Sequence, residues 1–190
     1  MHVTKKKLLD IACDEIYHNG YHSTSIDKIL EKSDTSKSSF YYHFKSKKEL
    51  IEAVINQNIY SGIKSEYGLL LDVEKNFIDE ILIAIKNENN FNFKYGCKLN
   101  NLVQELTNKD EIFKVSLEKT YFMFENIFEE VLNKAVKNKE IIEVDTKELS
   151  MYIVASIEGC LATAKKSQND KLYYSCISHL EKYLNSFRIV

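Results

Sequence analysis

Between Asp34 and Glu49 the chain carries no acidic residue. Lysines, serines, tyrosines and a histidine fill the gap as Ser36-Lys-Ser-Ser-Phe-Tyr-Tyr-His-Phe-Lys-Ser-Lys-Lys48. Hydroxyl, ammonium and imidazole groups at this density are hydrogen-bond donors to a polyanion, and a lysine can also reach a guanine edge. Other chemistry is poorly represented. Glu15-Ile-Tyr-His18 is the single Glu-x-x-His pair, whereas a di-metal bundle site needs two, so no metal role is expected. No Gly-rich phosphate loop, nucleophile elbow or zinc pattern occurs, so neither an enzyme nor a cofactor is expected. Cys13, Cys97, Cys160 and Cys176 lie far apart with no C-x-x-C pair. That spacing predicts reduced thiols in a cytoplasmic protein rather than a disulfide framework.

The elements that hold the donor-rich stretch are helical. The 190 residues include no proline and only five glycines, and no alternating strand pattern is present, so the fold class is all-α. About nine helices are predicted. Leu8, Leu9, Ala12 and Ile16 form the stripe of a first helix, with Gly20 at its C-terminal cap. Thr24-Ser-Ile-Asp27 reads as a capping box for a second and Ser36 as the cap of a third, whose Phe40 and Phe44 share one face. Ser46-Lys-Lys-Glu49 is a further capping box, opening a longer helix through Leu50, Ile51, Val54 and Ile55. Beyond it, Asp72, a point near Cys97, Asn108, Asp145 and Leu172 mark further helix starts. No apolar run is long enough to span a bilayer, and the N-terminus has no apolar signal region, so no membrane partner is expected.

Residues 1–50 hold nine lysines and seven acids, a net charge of +2, while the remainder holds 17 basic and 21 acidic residues, a net of -4. A weakly basic head on an acidic body suits a polyanion partner for the head alone. Ser33-Asp34-Thr35 gives the second and third helices the spacing of a helix-turn-helix, whose second helix enters the DNA major groove. With Phe40 and Phe44 inward, Lys37, Ser38, Tyr41, Tyr42 and His43 point elsewhere, and Lys47 stands at a helix start that favours phosphate.

The run "GYHSTSIDKILEKSDTSKSSFYYHFKSKKEL" closely resembles the DNA-binding region of the TetR family of bacterial transcriptional repressors, through Gly20, Tyr21, Thr24, Ser25, Ile29, Ser36, Lys37, Tyr41, His43, Phe44, Lys47 and Leu50. The resemblance implies that Thr24, Tyr41, Tyr42, His43 and Lys47 mainly hold phosphates of double-stranded operator DNA, while Lys37, Ser38 and Ser39 lie nearest the bases. Two departures bear on operator sequence. Ser33-Asp34-Thr35 replaces the family's usual Ala-Gly-Val, and Ser38 stands where glycine is common.

The same resemblance implies a head over residues 1–50 and an inducer-binding, homodimerising body over 51–190. Ser156, Gly159, Cys160 and Thr163 form a small-residue stripe, and Tyr173, Cys176, Ile177, Leu180, Leu184 and Phe187 line one side of the last helix, so both are candidate dimer surfaces or intramolecular core. "GCKLNNLVQEL" and "IEGCLATAKK" resemble segments of one subgroup, in which the cysteine matching Cys97, with the lysine matching Lys165 nearby, senses electrophiles or oxidants. A helix N-terminus and a nearby ammonium both favour a thiolate. The other reading is a largely apolar or aromatic small-molecule inducer held among Phe, Tyr and Leu. The rival functions are a helical protein-binding adaptor without specific DNA binding and a helical-bundle enzyme.

Overall fold

A computed structural model describes residues 3–189, apart from the side chain of Glu88. The helices are α1 (Val3–Asn19), α2 (Ile26–Ser33), α3 (Lys37–His43), α4 (Lys47–Val54), α5 (Tyr60–Tyr67), α6 (Phe77–Lys86), α7 (Lys98–Leu106), α8 (Glu111–Lys137), α9 (Thr146–Ser167) and α10 (Asp170–Asn185). A π-helical turn, Ile55–Ile59, joins α4 to α5 in one unbroken rod, so the described residues hold nine separate helices. They hold no strand; one isolated antiparallel bridge ties Ile141 to Arg188.

The chain divides into two compact units. The first runs from α1 to Gly62 and takes in Lys98–Thr120; the second comprises Ile63–Cys97 and the residues from Tyr121 onward. The expected boundary at residue 50 falls inside α4, within the first unit. In that unit Leu8, Leu9, Ala12 and Ile16 of α1 close over Ile29, Phe40, Leu50, Ile51 and Val54, all buried. Fully burying an aliphatic or aromatic side chain of this kind stabilises by about 1.5–3 kcal/mol, so this shared core is what holds three short helices that would not persist alone.

Several starts and stops follow the local pattern. Ser36 accepts the N–H of Ser39 at 3.2 Å, Ser46 that of Glu49 at 3.2 Å, and Asp145 that of Glu148 at 2.9 Å. Gly20 closes α1 at φ +79°. Others do not. The cap of α2 is Ser25, which accepts from Lys28 N–H at 3.2 Å, and not Thr24. Asp72 ends a 3-10 turn instead of opening α6. There the carboxylate of Glu140 accepts the N–H groups of Asn76 and Phe77 at 2.9 and 3.1 Å, a cap supplied from 64 residues away.

In the second unit the apolar side of α10 packs on its own α9 and α6. Tyr173, Ile177, Leu180 and Leu184 are buried there, and the Tyr173 hydroxyl donates to the Ile85 carbonyl at 2.6 Å. Cys160 on α9 and Cys176 on α10 form a disulfide with 5.6 Å between their Cα atoms, which corrects the expectation of four reduced thiols. A sequence separation of 16 looked remote along the chain, but an antiparallel helix pair folds those two positions onto each other.

Candidate nucleic-acid interface

The helix-turn-helix is built from α2, a turn and α3. Asp34, at φ 47° and ψ 47°, is the left-handed cap of α2, and its N–H donates to the Glu31 and Leu30 carbonyls. An aspartate tolerates this conformation better than most side chains, so the turn keeps its shape without glycine. Thr35 N–H then bonds to Leu30 O at 3.0 Å and the chain enters α3. Phe40 and Phe44 are buried with ring centroids 6.0 Å apart, which fixes the rotation of α3 about its axis.

That rotation decides what is presented outward. Lys37 is exposed, with its ammonium 4.0 Å from Asp27 Oδ1. Tyr42 is 82% exposed and Tyr41 48%. His43 is half-buried, its ring edge-on to Tyr42 at 4.9 Å between centroids. Ser36 and Ser38 are exposed with their hydroxyl oxygens 3.0 Å apart, and Ser39 is half-exposed in the same first turn. Ser25, the N-cap of α2, is exposed as well. One face of this unit therefore gathers lysine, tyrosine and serine donors of the kind that hold phosphates and read base edges.

Two predicted contacts are placed otherwise. Thr24 is only 1% exposed and its hydroxyl donates to Gly20 O at 2.8 Å, so it braces the turn between α1 and α2 from inside. Lys47 donates to the carbonyl of Tyr21 and lies 4.0 Å from the centroid of the Tyr21 ring. Partial burial there lowers its pKa. Both side chains shape the turn that carries Tyr21 and His22.

Sequence reasoning missed the residue that completes this turn. Glu105 of α7 accepts the N–H of Tyr21 at 2.9 Å and that of His22 at 3.0 Å. A Cβ on Gly20 would lie 3.3 Å from Glu105 Oε2, a tight contact that a small shift of the carboxylate relieves, so it is the positive φ that favours glycine here. Tyr21 also meets Phe113 edge-on at 5.4 Å, and Lys48 pairs with Asp110. Glu15, half of the apparent metal pair, is buried and ion-paired with Lys28 at 2.7 Å and with Lys32. Burial raises its carboxyl pKa, but hydrogen bonds from the two lysines and their charges outweigh that and leave it lowered. Among the described residues no group of three or more His, Cys, Asp and Glu could hold a metal ion.

The regulatory candidates lie in the second unit. Cys97 is half-buried, outside the disulfide, and immediately precedes α7. Lys165 sits in the last turn of α9, and Gln168 just beyond donates to Lys94 O at 3.2 Å, so the end of α9 meets the loop that leads to Cys97. Of the small-residue stripe, Gly159 and Thr163 are exposed and Ser156 is half-exposed, while Cys160 is turned inward to the disulfide. Tyr173, Ile177, Leu180 and Leu184 belong to the core rather than to an outward face, because α6 and α9 of the same chain already cover them.

Comparison with known proteins agrees with this geometry. A family model described as bacterial regulatory proteins, tetR family, matches residues 8–54, and one described as tetracyclin repressor-like, C-terminal domain, matches residues 75–180. The uncharacterized HTH-type transcriptional regulator in the lacX 3' region of Lactococcus lactis subsp. lactis is 31% identical over 173 residues, covering 87% of this chain and 85% of that protein. A TetR-family regulator from Cytophaga hutchinsonii superposes with a TM-score of 0.88 at 16% identity, covering 98% of this chain and 96% of that one. The reduced form of E. coli NemR superposes with a TM-score of 0.87 at 19% identity, covering 99% and 98%; at these identities both structures speak for the fold. With an outward-facing α3 set on a helix-turn-helix and family matches over head and body alike, the chain belongs to the TetR family of bacterial regulatory proteins and is a transcriptional regulator, not an enzyme.

Proposed function

We propose that the protein is a cytoplasmic repressor that binds a near-palindromic operator as a homodimer and leaves it when an inducer, or modification of Cys97, reshapes the second unit. The observation that carries the reading is the outward presentation of Lys37, Ser38, Tyr41 and Tyr42 by a helix anchored through Phe40 and Phe44. Lys37, Ser38 and Ser39 face the bases; Ser25, Ser36, Tyr41, Tyr42 and His43 hold phosphates. Lys47 contributes by setting the Tyr21 turn.

The second copy docks on the outer face of α9, where Tyr152, Ser156, Gly159 and Thr163 recur at helical spacing and Tyr183 of α10 meets Tyr152 edge-on at 5.3 Å. A Cβ on Gly159 would meet nothing within 4 Å, so that face is open to a close partner helix. Modification at Cys97 is supported by its partial exposure and its place before α7, and by the contact between its loop and the end of α9 that carries Lys165.

The test is quantitative binding to a specific and a scrambled duplex. Tyr42→Ala weakens both alike, whereas Lys37→Ala also narrows the gap between them, by about 1–3 kcal/mol if the lysine makes a good base contact. A Lys37→Ala protein with unchanged preference refutes the base-reading role. Cys97→Ser keeps DNA binding and loses release by an electrophile; unaltered release removes Cys97 from the mechanism.

A further inference from the structure

The disulfide between Cys160 and Cys176 joins α9 to α10 with 5.6 Å between the Cα atoms. A transcriptional regulator works beside DNA, where small thiols keep cysteines reduced, and the disulfides that do form in such a compartment are mostly transient, catalytic or redox-sensing. A bond kept for stability alone is out of place there. Nor does the α9–α10 pair need it to stay closed. Ile153, Ile157, Leu161 and Ala164 of α9 are buried on either side of Cys160, and Tyr173, Ile177, Leu180 and Leu184 of α10 on either side of Cys176. Two free thiols in this layer would pack as small apolar groups. The oxidised and the reduced chain therefore share one fold and differ in one bond.

Position sets both access and consequence. Cys160 is 2% exposed whereas Cys176 is half-exposed, so an incoming thiolate reaches the pair from the Cys176 side. It bonds to the Cys176 sulfur as the S–S bond breaks, and Cys160 leaves as a thiolate that takes up a proton. A second small thiol then displaces Cys176, so two small thiols become one small disulfide and two electrons and two protons pass to the protein. The reverse exchange, with the small disulfide as oxidant, closes the bond again. Cys160 directly follows Gly159 and stands one turn beyond Ser156, both on the face of α9 that receives the second copy. Tyr183 of α10 meets Tyr152 of that face edge-on at 5.3 Å, so the face is shared by the two helices that the bond ties together.

We propose that Cys160 and Cys176 form a redox-reactive site, opened and closed by exchange with a low-molecular-weight thiol and its disulfide, and that the closed form fixes the α9–α10 face for the second copy. This inference rests on the reading of that face as the docking surface, and its test separates the two. Full-length protein is equilibrated without denaturant in glutathione buffers of graded thiol-to-disulfide ratio, quenched in acid, alkylated and mapped by mass spectrometry. Its dimer dissociation constant is measured by sedimentation at both ends of the series. The pair opens and recloses in the folded protein, and the reduced form dissociates about tenfold more readily, as expected when one or two interface side chains must be ordered afresh on docking. Cys160→Ala/Cys176→Ala assembles like the reduced protein at every ratio; if that variant does not fold, the mapped pair and the two dissociation constants of the unaltered protein still decide. A pair that stays closed until the protein is denatured, equal dissociation constants in the two forms, or redox-dependent assembly that persists in the double variant overturns the proposal. A monomer at both ends refutes the docking face and the coupling to it, while exchange in the folded protein upholds the redox-reactive pair.

Discussion

The Glu105 contact makes a prediction that can be worked from the geometry. Glu105→Gln keeps the size of the side chain but turns one acceptor oxygen into an NH2 group facing a backbone N–H. Both N–H groups, of Tyr21 and His22, now share a carboxylate at 2.9 and 3.0 Å. Hydrogen bonds to a charged group contribute about 1.5–3 kcal/mol each. The His22 N–H is exposed and regains water, while the Tyr21 N–H is partly buried and does not fully recover. The net loss is then about 2 kcal/mol, with most of it at Tyr21. For a chain of this length that corresponds to a fall in Tm of about 4–8 °C, read by circular dichroism. Preference between specific and scrambled DNA is unchanged, because Glu105 bonds to the Tyr21 turn and not to the α3 residues proposed to face the bases. An unshifted Tm would show that the turn between α1 and α2 stands without Glu105, and the reasoning would fail.

Two further outcomes follow from the second unit. Tyr173→Phe removes the hydrogen bond to Ile85 O and lowers stability by about 1–2 kcal/mol in thermal melts; an unchanged Tm would contradict that contribution. Alkylation of the denatured, unreduced protein labels two cysteines, Cys13 and Cys97, and reduction raises the count to four by mass spectrometry. Cys160→Ser lowers stability by about 3 kcal/mol, the expected worth of closing a loop of this size; four labelled thiols before reduction would contradict the pairing.

What the sequence disclosed was local. The spacing of Phe40 and Phe44, the serine caps at 36 and 46 and the aspartate cap at 145 are each read over one or two turns of helix, and the structure keeps all of them. The turn at Asp34 could be anticipated because aspartate tolerates its left-handed backbone better than most residues. What escaped depends on partners distant along the chain. Glu105 reaches Tyr21 over 84 residues, and Glu140 caps α6 over 63 or 64, and no periodicity in either segment marks the pairing. The α10 stripe was legible as apolar but ambiguous in destination, since a face that packs on its own α9 has the same spacing as one that packs on another copy. Thr24 shows the same limit at the interface itself: a hydroxyl beside a helix start suits a phosphate or its own turn, and burial chose the turn.

The central claim, sequence-specific DNA recognition by the α3 face, is tested most directly by selection from a pool of randomised duplexes, with bound sequences read after several rounds at fixed salt. The account predicts enrichment of a near-palindrome whose half-sites repeat at about one helical turn or a multiple of it, as two copies of a helix-turn-helix require. Recovery of the input pool with no enriched sequence would contradict it.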